Sequence, residues 1–218
     1  MQNNDDIVEE LSKLNSSIIH DALRSEGFSD QTLPPEIRPL KYEKVLAGKI
    51  WTLSGELNEK AEIHDTLLSW TEFLSNAEPN SIVVCQPNNH SIALMGELSA
   101  ETLKKRNIRG YIADGGCRDL EFINKIDFPV WSKFYTPKDV VAYWKPTKFE
   151  ETIKIGDVEI DNGDYVMADI DGIVIIPQEK VIDILEKSEK LINTESQVRK
   201  AIREGMDPQE AYIKYSVF

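Results

Sequence analysis

Apolar positions between Ile7 and Ser25 (IVEELSKLNSSIIHDALRS) recur at three- and four-residue intervals, which predicts helix. Ser16 or Ser17 is the expected cap between two short helical segments there. The Pro34-Pro35 pair then marks an irregular connection. Residues 45–54 (VLAGKIWTLS) read as a strand, HDTLLSWTEFLSNA from His64 as a helix, and SIVVCQ after Asn80 as a short β-branched buried strand. A helix is expected at about 91–106, followed by the apolar strand GYIAD, a glycine turn at Gly115-Gly116 and a short helix starting near Arg118. PVWSKF is strand-like, with a break at Pro137.

From Thr152 the run TIKIGDVEIDNGDYVMADIDGIVIIP carries turn signals at Gly156, Asn162-Gly163 and Asp171-Gly172, so it predicts antiparallel strands joined by tight turns. A long amphipathic helix is expected over about 178–204, stopping at Gly205 and restarting after Asp207-Pro208. Helices alternate with parallel-looking strands in the middle of the chain, with a β-rich segment behind them. This predicts a layered α/β architecture with one parallel and one antiparallel sheet component.

The chain has 218 residues, enough for a sizeable core. No apolar stretch reaches the ~18 residues of a membrane span, and the start lacks an export signal, so a cytoplasmic protein without membrane contact is expected. Two cysteines, Cys85 and Cys117, make neither a disulfide framework nor a ligand cluster, and His20, His64 and His90 lie far apart. A net charge of −13 argues against a general nucleic-acid binder. A small anionic ligand stays admissible where cations concentrate locally. No GxGxxG, Walker, GxSxG or HExxH pattern occurs.

Chemistry concentrates between Gly96 and Asp119 (GELSAETLKKRNIRGYIADGGCRD). Residues 115–119 follow a strand, where ligands of open α/β sheets sit. Arg118 offers a planar fork for a carboxylate, and Asp119 a hard oxygen for magnesium or manganese. The residues alone leave other readings open: Asp119 as a helix cap, Arg118 as a surface ion-pair partner, Asp114 as a turn former and Glu97 as a solvated helix acid. His20 and His64 fit a packed or half-exposed helix face. Cys117 fits a small filler, and Trp51, Trp70, Trp131 and Trp144 fit core or interface.

Glu97, twenty intervening residues, then Arg118-Asp119 resembles the acidic-x20-Arg-Asp motif of the RraA-like family. AGKIWT (47–52), Gly96-Glu97-Leu98, DGGCRD, FPVW (128–131) and GDYVMADIDGIVIIP (163–177) are similar to further family segments, from about residue 15 to the C-terminus. The resemblance implies a β/β/α sandwich of the swivelling-domain type, with helices flanking mixed sheets. It implies one such domain over 1–218, including a C-terminal helical extension at about 178–218. It also implies the chemistry of the 4-hydroxy-4-methyl-2-oxoglutarate aldolase and oxaloacetate decarboxylase branch.

On that resemblance Asp119 is the direct Mg2+ (or Mn2+) ligand and Glu97 acts through a bound water. Arg118 holds the 2-oxo or carboxylate oxygens of a small anionic 2-oxo acid, and the backbone amides of Leu98 and Ser99, after Gly96, receive the pyruvyl carboxylate. A further acid is expected from a neighbouring subunit of a homotrimer or hexamer, with Glu195 the candidate. The expected reaction is retro-aldol release of pyruvate, with oxaloacetate decarboxylation as a side activity and a water on the metal as proton carrier. A Schiff-base route needs a desolvated lysine, and the lysines here lie in polar helical surroundings. The family also contains non-catalytic inhibitors of ribonuclease E, which lack the Asp after the Arg, and the motif leaves open another keto acid or sugar acid as substrate.

Overall fold

The strand β2 (Leu46–Leu57) organises the molecule, because both sheet components meet on it. Its alternation sends Trp51 and Leu53 to one apolar cluster and Leu46 and Ile50 to another, the period-two signature of a strand buried on both faces. One edge pairs in parallel with β3 (Ile82–Gln86), with Ile50 opposite Ile82. The other edge takes two antiparallel partners in succession. β9 (Tyr165–Ala168) pairs along Leu46–Lys49, and β6 (Trp144–Phe149) along Leu53–Leu57. The computed structural model describes residues 3–217.

From β3 the parallel order continues through β4 (Gly110–Cys117) and β5 (Val130–Tyr135), and the two-residue β1 (Arg38–Pro39) closes that end antiparallel to β5. At the other end β9 pairs with β10 (Ile173–Ile176). The expected parallel and antiparallel components meet in one curled eight-stranded sheet. The hairpin β7 (Ile153–Ile155) and β8 (Val158–Ile160) forms its own two-stranded sheet over one face, completing the β/β/α layering.

Helices α3 (Ile63–Asn76), α4 (Glu97–Lys105) and α5 (Leu120–Ile126) cover the opposite face. Phe73, Leu103 and Ile123 from these three helices meet Trp51, Tyr111 and Trp144 in one cluster, and Trp51 stacks on Phe73 at 6.1 Å between centroids. A third cluster joins α1 (Asn4–Leu11), α2 (Ser16–Ser25), β9, β10 and α6 (Val181–Arg203). The cap of α2 is Asn15, whose side chain accepts from the Ile18 amide at 2.9 Å; Ser16 is the first helical residue instead. The last helix, α7 (Pro208–Tyr215), starts as expected on Asp207, which accepts from Gln209 and Glu210, with proline at the first position.

Two sequence expectations fail here, and both failures shape the site. Helix α4 begins at Glu97, and the apolar residues before it form a bent segment bridged to β4 at Ala93, with Leu94 donating to the Gly116 carbonyl at 2.8 Å and Gly116 to the Ile92 carbonyl at 3.0 Å. Gly115-Gly116 accordingly lies inside β4 rather than in a turn. A Cβ on Gly116 would come within 2.6 Å of the Ile92 carbonyl oxygen and 2.7 Å of the Phe134 ring, so the missing side chain admits the crossing segment. Among the described residues no helix is long and apolar enough to cross a membrane.

Candidate active site

The segment bridged to β4 at Ala93 delivers the N-terminus of α4 to the residues that follow β4. Arg118 is fixed through its backbone, its amide donating to the Met95 carbonyl at 2.9 Å. Asp119 then turns the chain in a left-handed conformation (φ 58°, ψ 38°), which aspartate tolerates better than most residues. It occupies the cap position of α5, yet its side chain does not cap that helix. Its Oδ2 instead accepts the Glu97 amide of α4 at 3.0 Å, so the capping bond runs between helices.

Gly96 makes this possible. A Cβ there would stand 2.8 Å from Asp119 Oδ2 and 3.1 Å from Arg118 Nε, displacing both. With Gly96 as cap, α4 has no capping side chain of its own; Asp119 takes the Glu97 amide, and the Leu98 and Ser99 amides meet no acceptor among the described residues. Two free amides at the positive end of a helix beside a guanidinium are chemically suited to a carboxylate.

The guanidinium is held from two sides. Its Nη1 donates to Asp139 Oδ2 at 2.9 Å, and its Nε lies 3.5 Å from Asp119 Oδ2. Asp139 is itself tied down, its Oδ1 accepting the Val141 amide at 3.1 Å, and the Ala93 amide bonds the Lys138 carbonyl of the same segment at 2.7 Å. Nη2 has no acceptor among the described residues, so one edge of the fork is presented with its direction set by two carboxylates.

These groups converge on one cavity of about 470 Å³, lined by Gly96, Glu97, Leu98, Ser99, Arg118 and Asp119 and walled by α3 and the 139–141 segment. Glu97 and Asp119 also border a second hollow of about 460 Å³ against α5. Glu97 is exposed and has no ion-pair or hydrogen-bond partner for its carboxylate among the described residues; Asp119 has only Oδ2 engaged, with Glu97 and Arg118. Two under-engaged carboxylates side by side suit a hard divalent cation. No group of three or more His, Cys, Asp or Glu with metal-binding geometry exists among the described residues, and magnesium, which retains several waters, does not require one.

The structure thus brings together every residue predicted for the site except Glu195. That residue lies on α6, 3.7 Å from Arg199, and lines a separate hollow with Val198 and Ile202. Asp139 escaped the sequence reading; the one signal was an acid just beyond Pro137, and only the fold shows that it meets Arg118. Asp114 is no turn former: it sits in β4 and bridges Lys133 and His90, each at 2.9 Å. His64 is exposed and His20 half-buried, both outside the cavity, and Trp51, Trp70, Trp131 and Trp144 are core. Burial pushes the Cys85 and Cys117 thiols up to about 12, leaving Cys117 a packed filler.

The chain matches the RraA-like family, described as Aldolase/RraA, over residues 16–175. It is 25% identical over 213 residues to Protein DlpA of Legionella pneumophila, covering 96% of this chain; it spans only 34% of that relative's length. A putative 4-hydroxy-4-methyl-2-oxoglutarate aldolase of Halalkalibacterium halodurans is 23% identical over 96% of this chain and 94% of its own. In fold the chain resembles Streptomyces coelicolor RraAS2, named an unusual member of the RNase ES inhibitor RraA family, with a TM-score of 0.82, 21% identity, and 91% and 99% of the two chains covered. With the family matched across most of its length and the motif residues gathered at one cavity, the chain belongs to the RraA-like family.

Proposed function

We propose that this protein is a divalent-metal-dependent lyase that cleaves a 4-hydroxy-2-oxo acid by retro-aldol reaction to pyruvate, with oxaloacetate decarboxylation as a side activity. The observation that carries the proposal is the convergence on one cavity of the Arg118 fork, the free Leu98 and Ser99 amides and the Glu97–Asp119 pair. Glu97 and Asp119 would hold magnesium or manganese, which when bound supplies a Lewis acid for the keto oxygen.

The chain's own groups do the remaining work. The α4 amides and Arg118 Nη2 receive the C1 carboxylate and the neighbouring oxo oxygen, fixing the C3–C4 bond relative to the rim. The C4 hydroxyl proton leaves toward that rim, where Glu97 is exposed. The C3–C4 bonding electrons pass into the pyruvate enolate while C4 becomes a carbonyl. Arg118 faces the negative charge that develops on the oxo oxygen, a contact worth several kcal/mol in such sites, or about two to three powers of ten in rate. Protonation at C3 completes pyruvate. Decarboxylation of oxaloacetate passes through the same enolate and needs no base.

The reading takes the working form to be a homotrimer or hexamer, in which Glu195 of the partner subunit approaches the site. Leu67 and Leu98, exposed at the cavity, and Ile63 and Leu68 beside Leu67 on α3 support a covering partner. Pyruvate release from oxaloacetate and from 4-hydroxy-2-oxo acids, followed with magnesium, manganese or chelator, tests the activity; a solution mass tests the assembly. Turnover that disappears with chelator and in Arg118→Ala is the expected result. A protein inert with both ions that instead captures a ribonuclease of the RNase E type rejects the enzyme and supports the regulator.

A further inference from the structure

We propose that Ser99 holds the substrate through its side chain as well as its backbone: the hydroxyl, turned by the Trp70 indole, donates to the C1 carboxylate of the 2-oxo acid. The inference rests on the aldolase reading for its ligand and names a further binding residue of that same site. Ser99 is the third residue of α4, half-buried on the cavity wall, and Trp70 reaches it from α3. The indole N–H donates to Ser99 Oγ at 2.9 Å. Trp70 is itself fixed, lying edge-on to Phe73 at 5.1 Å and to Trp144 at 6.1 Å between centroids.

That bond uses a lone pair of the hydroxyl and leaves its proton. Serine and threonine inside a helix often return the proton to the carbonyl four residues back. Two other hydroxyls of the same cavity do so: Thr71 donates to the Leu67 carbonyl at 2.9 Å and Thr102 to the Leu98 carbonyl at 2.7 Å. For Ser99 that carbonyl belongs to Met95, ahead of the helix, where it accepts the Arg118 amide at 2.9 Å. The Ser99 proton has no acceptor among the described residues. With a lone pair engaged from α3, the proton turns away from that helix. Side chains of an α-helix lean toward its N-terminus, which brings the hydroxyl to the side of the unpaired Leu98 and Ser99 amides. Amide and hydroxyl of one residue, separated only by Cα and Cβ, can serve one carboxylate together, and the negative charge strengthens both bonds. Arg118 lines the same cavity and faces the same ligand.

The test uses the intact protein with saturating magnesium and pyruvate as the probe. Titration calorimetry gives the affinity, and exchange of the pyruvate methyl protons in D2O, followed by NMR, gives KM and kcat for enolate formation. Ser99→Ala keeps the helix and both amides. We expect it to weaken pyruvate binding about tenfold, the scale of a hydrogen bond to a charged group, with the loss falling on KM rather than kcat. Trp70→Phe keeps a ring in the core and removes the N–H. It should weaken binding in the parent and add nothing in the Ser99→Ala background, because it acts through the hydroxyl. Pyruvate bound equally well by the parent and Ser99→Ala overturns the inference, leaves the aldolase standing and gives the proton to another acceptor, such as a neighbouring subunit. Equal effects of Trp70→Phe in both backgrounds overturn the orienting role of the indole. Binding that depends on Ser99 without methyl exchange supports the carboxylate contact and rejects the aldolase. No binding at all overturns both.

Discussion

Asp139 controls how Arg118 can act, because it fixes Nη1 at 2.9 Å while its own second oxygen is anchored on the Val141 amide. Asp139→Asn keeps the shape and a backbone acceptor but removes the charge that orients the guanidinium. The expected outcome is a loss of about one to two powers of ten in kcat/KM for pyruvate release, the scale at which misplaced reacting groups slow an enzyme. The melting temperature should barely move, since a part-exposed ion pair contributes about 0–1 kcal/mol. Steady-state kinetics beside thermal melts check this; unchanged kinetics would remove Asp139 from the positioning of Arg118. The contrast with Arg118, Asp119 and Glu97 is instructive. Those three stand in one motif spacing and were legible through a family resemblance, whereas Asp139 reaches the cavity from a segment twenty residues further on. Its partner is set by tertiary structure alone.

At the scale of elements, long periodic segments were legible and short apolar ones were not. Helices α3, α6 and α7 and strands β3 and β5 follow the hydrophobic pattern closely, because their buried faces repeat over several turns or alternations. SIALM before Gly96 has the composition of a helix start, yet it is a bent segment bridged to β4 at Ala93, and so short an apolar run has no period to decide the matter. Strand β6 went unread because Pro146 interrupts its pattern; in the fold it pairs with β2 across a register shift. The joint between α5 and the segment after β1 gives a pH prediction. Asp127 ends α5 and accepts from Lys41 at 2.8 Å and Lys44 at 2.6 Å, and these bonds hold its carboxyl down at about 2. Its folded value lies below the ordinary one, so the stabilisation is present above the ordinary carboxylate range and is lost as pH falls through about 2. Solvent screening keeps it small, since the side chain is 52% exposed. Melts of the parent and Asp127→Asn should differ in favour of the parent at pH about 6 and converge toward pH about 2. A gap that persists at low pH assigns the effect to packing instead of charge.

For the whole molecule, the acidic composition opposes the proposed chemistry at long range. A net charge of −13 repels a 2-oxo acid before it meets Arg118 and the α4 amides, which act only at contact. Salt separates the two regimes. Between about 0.01 M and 0.1 M the screening length falls from about 30 Å to about 10 Å, which removes repulsion from distant carboxylates but leaves contacts inside the cavity mostly intact. With the divalent ion kept saturating, kcat/KM for an anionic substrate should therefore rise by about two- to fivefold over that range while kcat stays level. An inert monovalent salt is needed, because multivalent anions would compete for the amides and the guanidinium. Stopped-time pyruvate assays across the salt series provide the measurement. A kcat/KM that falls with salt would mean that the substrate is drawn in by local positive potential stronger than the net charge. The cations responsible would then have to come from beyond the cavity wall built by this chain, and a neighbouring copy would be the first place to look.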